Sequence, residues 1–103
     1  MASEYDVTWT DFAEKQLDMI FDYYLLEAGH GIARKIVLNL IRKVEILKSF
    51  PETGQIEHLL PDEFRYLVEG NYKILYFIDS KSVVVIDVFD TRRNHTGIKR
   101  ALE

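Results

Sequence analysis

The sequence contains no cysteine, which excludes a disulfide framework and a thiolate metal site. It also lacks any apolar run near the roughly 18 residues that a membrane-spanning helix needs. Its first nine residues, MASEYDVTW, have neither the basic start nor the apolar stretch of a signal peptide. No metal-ligand spacing, glycine-rich phosphate loop or nucleophile motif is present. We therefore expect a cytoplasmic protein that uses no cofactor and does not enter a membrane.

The composition is sufficient for one packed domain spanning residues 1–103, since 48% of the residues are hydrophobic and 13% are aromatic. The formal net charge of −4 disfavours strong nonspecific binding to nucleic acid. Residues 1–64 hold twice as many acidic as basic residues, whereas residues 65–103 hold more basic than acidic ones. This asymmetry indicates a C-terminal half that meets a polyanion or an acidic partner. Ordinary scatter over a solvated surface explains it equally well.

Two amphipathic helices are predicted in the first half of the chain. Residues 5–9 alternate between apolar and polar and form a short strand, after which Thr10 or Asp11 caps the first helix. Apolar residues then recur at steps of three and four until Gly29 ends this helix. A second helix with the same spacing ends just before Pro51. Because the connection is so short, the two helices should be antiparallel neighbours on one face of a sheet.

Residues 64–95 are predicted to form three strands joined by two tight turns, and the rest of the chain is organised around them. The stretches 72–79 and 83–89 are rich in Ile, Val, Tyr and Phe, which suit a pleated surface. Gly70 and Ser80 lie in the two turns. The sequence therefore predicts three consecutive antiparallel strands.

The complete order is β-α-α-β-β-β, with a loop over residues 51–62 and a final helical turn over residues 96–103. This order predicts an α+β fold in which a helical hairpin packs on one face of a mainly antiparallel sheet.

Basic side chains of the second half are the main candidates for function. Alternation within residues 72–79 places Tyr72, Ile74, Tyr76 and Ile78 on one face and Lys73, Leu75, Phe77 and Asp79 on the other. The helices should cover one side of the sheet and leave Lys73 on the outer face. We expect a cluster on that outer face that binds phosphate or a carboxylate-bearing peptide; its members are Arg65, Lys73, Arg92 and Arg93. The alternative is a structural one, in which Arg65 and Lys73 pair with Glu69 or Asp87 across the sheet.

The three histidines differ in whether their position in the sequence favours a functional role. His30 lies in the turn between the helices and His58 lies in a loop, so both are expected at the surface rather than as ligands. His95 follows two arginines and could act as a general acid or base near neutral pH. The sequence shows no partner that would orient it.

Several motifs, in this order, resemble the RelE/ParE toxin superfamily: FPETG at the end of the second helix, Arg65 opening a strand, GNYKILYFI, and VFDTRRN. Members are toxins of type II toxin–antitoxin systems and are also called plasmid stabilisation proteins. The resemblance covers residues 5–95 and implies a bacterial toxin held inactive by a cognate antitoxin. RelE-like members are ribosome-dependent endoribonucleases that cut mRNA, whereas ParE-like members poison DNA gyrase.

The resemblance also implies site residues. In a nuclease, Arg65, Lys73, Arg92 and His95 would be catalytic, with the cations stabilising charge on the scissile phosphate. In a toxin that acts on a protein, Arg65, Lys73, Arg92 and Arg93 would bind the target or the antitoxin.

Departures from the nuclease pattern favour the ParE-like branch. Leu67 stands where nucleases tend to carry a second basic residue, and no tyrosine follows Tyr76. The acidic net charge is also unlike that of ribosome-directed members. We therefore expect a toxin that binds DNA gyrase and forms dimers or a heterotetramer with its antitoxin. The alternatives are a ribosome-dependent mRNA endoribonuclease, and a degenerate member that binds its antitoxin without being toxic.

Overall fold

The computed structural model describes residues 4–92, and the elements follow the predicted order with one added strand. They are β1 (Asp6–Trp9), α1 (Asp11–Ala28), α2 (His30–Val44), β2 (Gln55–Ile56), β3 (Arg65–Glu69), β4 (Tyr72–Asp79) and β5 (Ser82–Asp90), with short 3-10 turns at Glu45–Lys48 and Pro51–Thr53. The helical turn predicted for residues 96–103 lies outside the described residues.

The sheet has five strands in the order β1-β5-β4-β3-β2. β1 is parallel to β5, and the other neighbours are antiparallel. The prediction of an uninterrupted loop over residues 51–62 was wrong, because Gln55 and Ile56 pair with Tyr66 and Arg65 at the sheet edge. A strand of two residues is too short to show alternation in a sequence, and only its partner defines it.

Local chemistry sets the helix ends. Thr10 caps α1, since its hydroxyl oxygen accepts a hydrogen bond of 3.1 Å from the backbone N–H of Ala13. Gly29 has a φ of 91°, which is accessible to glycine at little cost, and its N–H donates to the carbonyl oxygen of Tyr24. α2 begins at the next residue. The sequence had left open whether Thr10 or Asp11 was the cap, and the structure assigns Thr10.

The helical hairpin covers one face of the sheet, as predicted. The core cluster joins apolar side chains of both helices to inward-facing residues of the central strands; from β4 and β5 these are Tyr72, Ile74, Tyr76, Val83, Val85 and Val88. An extra residue in β5, Ile86, interrupts the β4–β5 register between Leu75 and Tyr76. The alternation predicted for β4 is therefore confirmed, with the tyrosines and isoleucines facing the helices.

Candidate functional site

The strand register places two of the predicted cations on opposite faces of the sheet. Arg65 lies directly across from Tyr76, which is fully buried against the helices. Cross-strand partners point to the same face, so Arg65 belongs to the helix-covered side. Lys73 has the opposite parity to Tyr76 in β4 and lies on the other face. The prediction that these cations converge on one face was therefore wrong, because parity within β4 does not fix the register of β3.

Arg65 fastens the loop that precedes β2. Its Nη1 donates to the carbonyl oxygen of Gly54 at 2.9 Å and to that of Glu52 at 3.3 Å. Its Nη2 lies 2.9 Å from the Glu63 carboxylate. Only 14% of the side chain is exposed. These contacts engage most of the guanidinium group in holding this chain's own backbone.

Lys73, on the outer face, is likewise held by contacts with other residues of this chain. Its Nζ is 3.3 Å from the Glu57 carboxylate and 4.0 Å from the ring centre of Tyr66. Glu57 is almost fully buried, and its second oxygen accepts from the N–H of Leu59 at 3.3 Å. A buried carboxylate needs such a cation, since an unpaired buried charge is costly. Lys73 thus compensates Glu57 within the fold.

Arg92 follows β5 and forms a fork with Asp90. Its Nη2 lies 2.7 Å from one Asp90 oxygen, while Nε and the backbone N–H reach the other at 3.1 Å and 2.8 Å. Hydrogen bonding to Asp90 raises the pKa of Arg92, so the guanidinium stays charged. The Arg92 side chain remains 61% exposed. Arg93 and His95 lie outside the described residues.

The carboxylate partners of the cations were not found by sequence reasoning. Glu52 and Glu57 come from residues 51–62, which were interpreted as a loop, and Glu63 directly follows this segment. The only signal was the density of acidic residues in that segment. His30 and His58 are exposed, as predicted. In the described residues, no group of three or more histidines or carboxylates is arranged to hold a metal ion.

A cavity of about 170 Å³ lies between the helical hairpin and the turn that joins β3 to β4. Tyr72 and Tyr24 line it, and the Tyr72 hydroxyl donates to the Tyr24 oxygen at 3.4 Å. Burial, aided by that hydrogen bond, raises the pKa of Tyr72, so its hydroxyl is neutral at physiological pH. Asp90 lies across from Tyr72 in the register, which places the Arg92–Asp90 pair at the same end of the sheet.

The helical hairpin on one face of a small, mostly antiparallel sheet agrees with the fold that the resemblance to the RelE/ParE toxin superfamily implies. The model of the family described as "ParE toxin of type II toxin-antitoxin system, parDE" matches residues 7–95. The chain belongs to this family. No curated protein sequence matches it.

Solved structures share the fold. The chromosomal ParDE toxin–antitoxin system from P. aeruginosa matches with a TM-score of 0.76 at 21% identity, over 86% of this chain and 98% of that one. The toxin–antitoxin complex RelBE2 from Mycobacterium tuberculosis matches with a TM-score of 0.64 at 21% identity, over 87% and 93%. An E. coli RelE mutant in the free state matches with a TM-score of 0.56 at 21% identity, over 94% and 97%.

None of the helices in residues 4–92 combines the length and apolarity that crossing a membrane requires.

Proposed function

We propose that this protein is a ParE-like toxin that arrests growth by binding DNA gyrase in the bacterial cytoplasm and is neutralised by a cognate antitoxin. The observation that carries the proposal is that Arg65, Lys73 and Arg92 are each ion-paired with carboxylates of the same chain. These are the cations that a nuclease of this superfamily would use on phosphate.

The ion pairs weaken the case for mRNA cleavage on energetic grounds. An intramolecular carboxylate is held beside its cation at a high effective concentration, so a phosphate must displace it before it can bind. For Lys73, displacement would leave Glu57 buried without a cation, which is unfavourable. In addition, Arg65 and Lys73 lie on opposite faces and cannot hold the same phosphate group. Binding a protein target requires no such convergence.

An antitoxin partner is supported by two exposed features as well as by family membership. β2 pairs only with Arg65 and Tyr66, so the remainder of β3 offers a short sheet edge to an added strand. Exposed apolar residues also follow one line along α1, namely Met19, Tyr23 and Leu26. An amphipathic helix of the antitoxin would pack along this line. The solved relatives include a ParDE toxin–antitoxin system from P. aeruginosa and a RelBE2 toxin–antitoxin complex from M. tuberculosis.

The proposal is tested with the purified full chain in a gyrase supercoiling assay. We expect loss of supercoiling and accumulation of cleaved DNA complexes as the protein is added. Preincubation with the cognate antitoxin should restore supercoiling. Unchanged gyrase activity at a large molar excess of the chain would contradict the proposed target.

A cellular experiment separates the proposal from the other two readings. Expression without antitoxin should cause filamentous growth arrest while translated mRNA stays intact. New 5′ ends within translated codons would instead show a ribosome-dependent nuclease, and the variant Arg92→Ala would then be expected to lose them. Normal growth at confirmed expression would indicate a member that binds antitoxin without toxicity.

A further inference from the structure

The cavity between the helical hairpin and the β3–β4 turn is lined by both apolar and polar side chains. Ile36, Leu40 and Tyr72 provide the apolar surface. Its volume of about 170 Å³ admits one long side chain but not a folded segment. The cavity is therefore suited to a single anchoring residue of a partner.

The polar lining side chains carry hydrogen-bond acceptors and one negative charge. Glu69 lies directly across from Tyr72 in the register, so its side chain points to the helix-facing side, where it lines the cavity. None of the ion pairs found within residues 4–92 involves Glu69. Two carboxamides, Asn39 and Asn71, also line the cavity, whereas no lysine or arginine of the described part of the chain does. The lining therefore attracts a cation and repels an anion.

The two tyrosines add to this preference. Tyr24 and Tyr72 are held together by their hydroxyl hydrogen bond of 3.4 Å, and aromatic rings attract cations through their negative faces. Arg92 interacts with Tyr24, which contributes to its raised pKa, but its guanidinium is held mainly by Asp90 and it does not line the cavity. Within residues 4–92, therefore, no lysine or arginine lines the cavity to supply the cation that its lining favours.

We propose that this cavity binds the side chain of an arginine presented by a protein partner. The methylene stem would cover Leu40 and Tyr72, and the planar guanidinium would donate to Glu69 and to the carboxamide oxygens of Asn39 or Asn71. A purely apolar anchor would cover these polar groups without giving them partners, which costs free energy. The site does not depend on which cellular target the toxin binds.

The test is an NMR titration of the full-length ¹⁵N-labelled chain with two probes of similar length. N-acetyl-arginine amide should give saturable shifts of the Gly70 and Asn71 amide signals, with a Kd in the range of about 1 mM expected for one weak anchor. N-acetyl-norleucine amide, which lacks the charge, should bind at least about fivefold more weakly, since charge-assisted hydrogen bonds dominate the contact.

Two variants locate the effect. Glu69→Gln keeps the shape of the side chain and should weaken the arginine probe about fivefold to tenfold. Asp79→Asn removes the same charge from the exposed far end of β4 and should leave binding unchanged. Three outcomes would overturn the proposal: no saturable shift at Gly70 and Asn71, equal affinity for the norleucine probe, or equal weakening by Asp79→Asn, which would indicate general charge attraction.

Discussion

Glycine is required at position 54 because a larger side chain would not fit there, not because the backbone conformation demands it. Its φ of −68° and ψ of 156° suit any residue. A Cβ built there, however, would collide with the Tyr76 hydroxyl and lie 2.7 Å from a ring carbon of Tyr76 and 2.9 Å from the backbone oxygen of Tyr66. The backbone oxygen of Tyr66 belongs to β3 and cannot move without disturbing the sheet. The substitution Gly54→Ala therefore tests whether this close approach holds the loop against the core.

The expected cost follows from what the new methyl group displaces. The Tyr76 hydroxyl donates to the carbonyl oxygen of Pro51 at 2.7 Å and accepts from the N–H of Gly54 at 2.9 Å. Overpacking costs about 1–3 kcal/mol, and each hydrogen bond lost adds about 1 kcal/mol. We expect Gly54→Ala to lower the free energy of unfolding by about 2–5 kcal/mol. For a domain of this size the Tm should fall by about 8 °C or more.

Urea and thermal unfolding followed by circular dichroism measure this effect. Gly31→Ala is the matched control, since no heavy atom lies within 4 Å of a Cβ at that position in α2. It should leave stability unchanged or raise it by up to about 1 kcal/mol. Adding Tyr76→Phe to Gly54→Ala removes the nearest obstacle, so the double variant should lose less than the sum of the two single losses. A Gly54→Ala variant within about 0.5 kcal/mol of the unmodified protein would refute the reasoning.

Three further predictions address the cap, a buried ion pair and a buried tyrosine. Thr10→Ala removes the acceptor for the Ala13 N–H and should cost about 1 kcal/mol in urea unfolding; no change would mean that another group caps α1. Lys73→Met leaves the buried Glu57 carboxylate without its cation and should cost about 3 kcal/mol, much of which adding Glu57→Gln should recover. Burial raises the pKa of Tyr72, so the folded state holds the hydroxyl proton of Tyr72 more tightly than the unfolded chain does. The contribution of this effect to the free energy of unfolding is fully present below about pH 10 and is lost as the pH rises above it. Thermal melts of Tyr72→Phe should therefore show a shallower alkaline decline, and an identical decline would contradict this assignment.

Much of the fold could be predicted because its signals are local. Apolar residues spaced three and four positions apart predicted both helices, and Gly29 predicted the break between them. The β-branched and aromatic residues of β4 and β5, together with the turns at Gly70 and Ser80, predicted two strands close to their observed bounds. The motif order led to the superfamily, which the family model and the shared fold confirm.

The sequence alone thus determined the two helices, four of the five strands, the order of these elements and the family, because each depends on neighbours a few residues away. Only the tertiary structure decided which groups meet. The register of β3 against β4 places Arg65 on the helix-covered face. The pairing of β2 with β3 forms an edge strand where a loop was expected. Glu57 reached Lys73, and the cavity formed beside Glu69, through contacts between residues far apart in the chain. Such contacts depend on register and packing, which no local pattern encodes, since sliding a strand by one residue exchanges the faces of all its side chains.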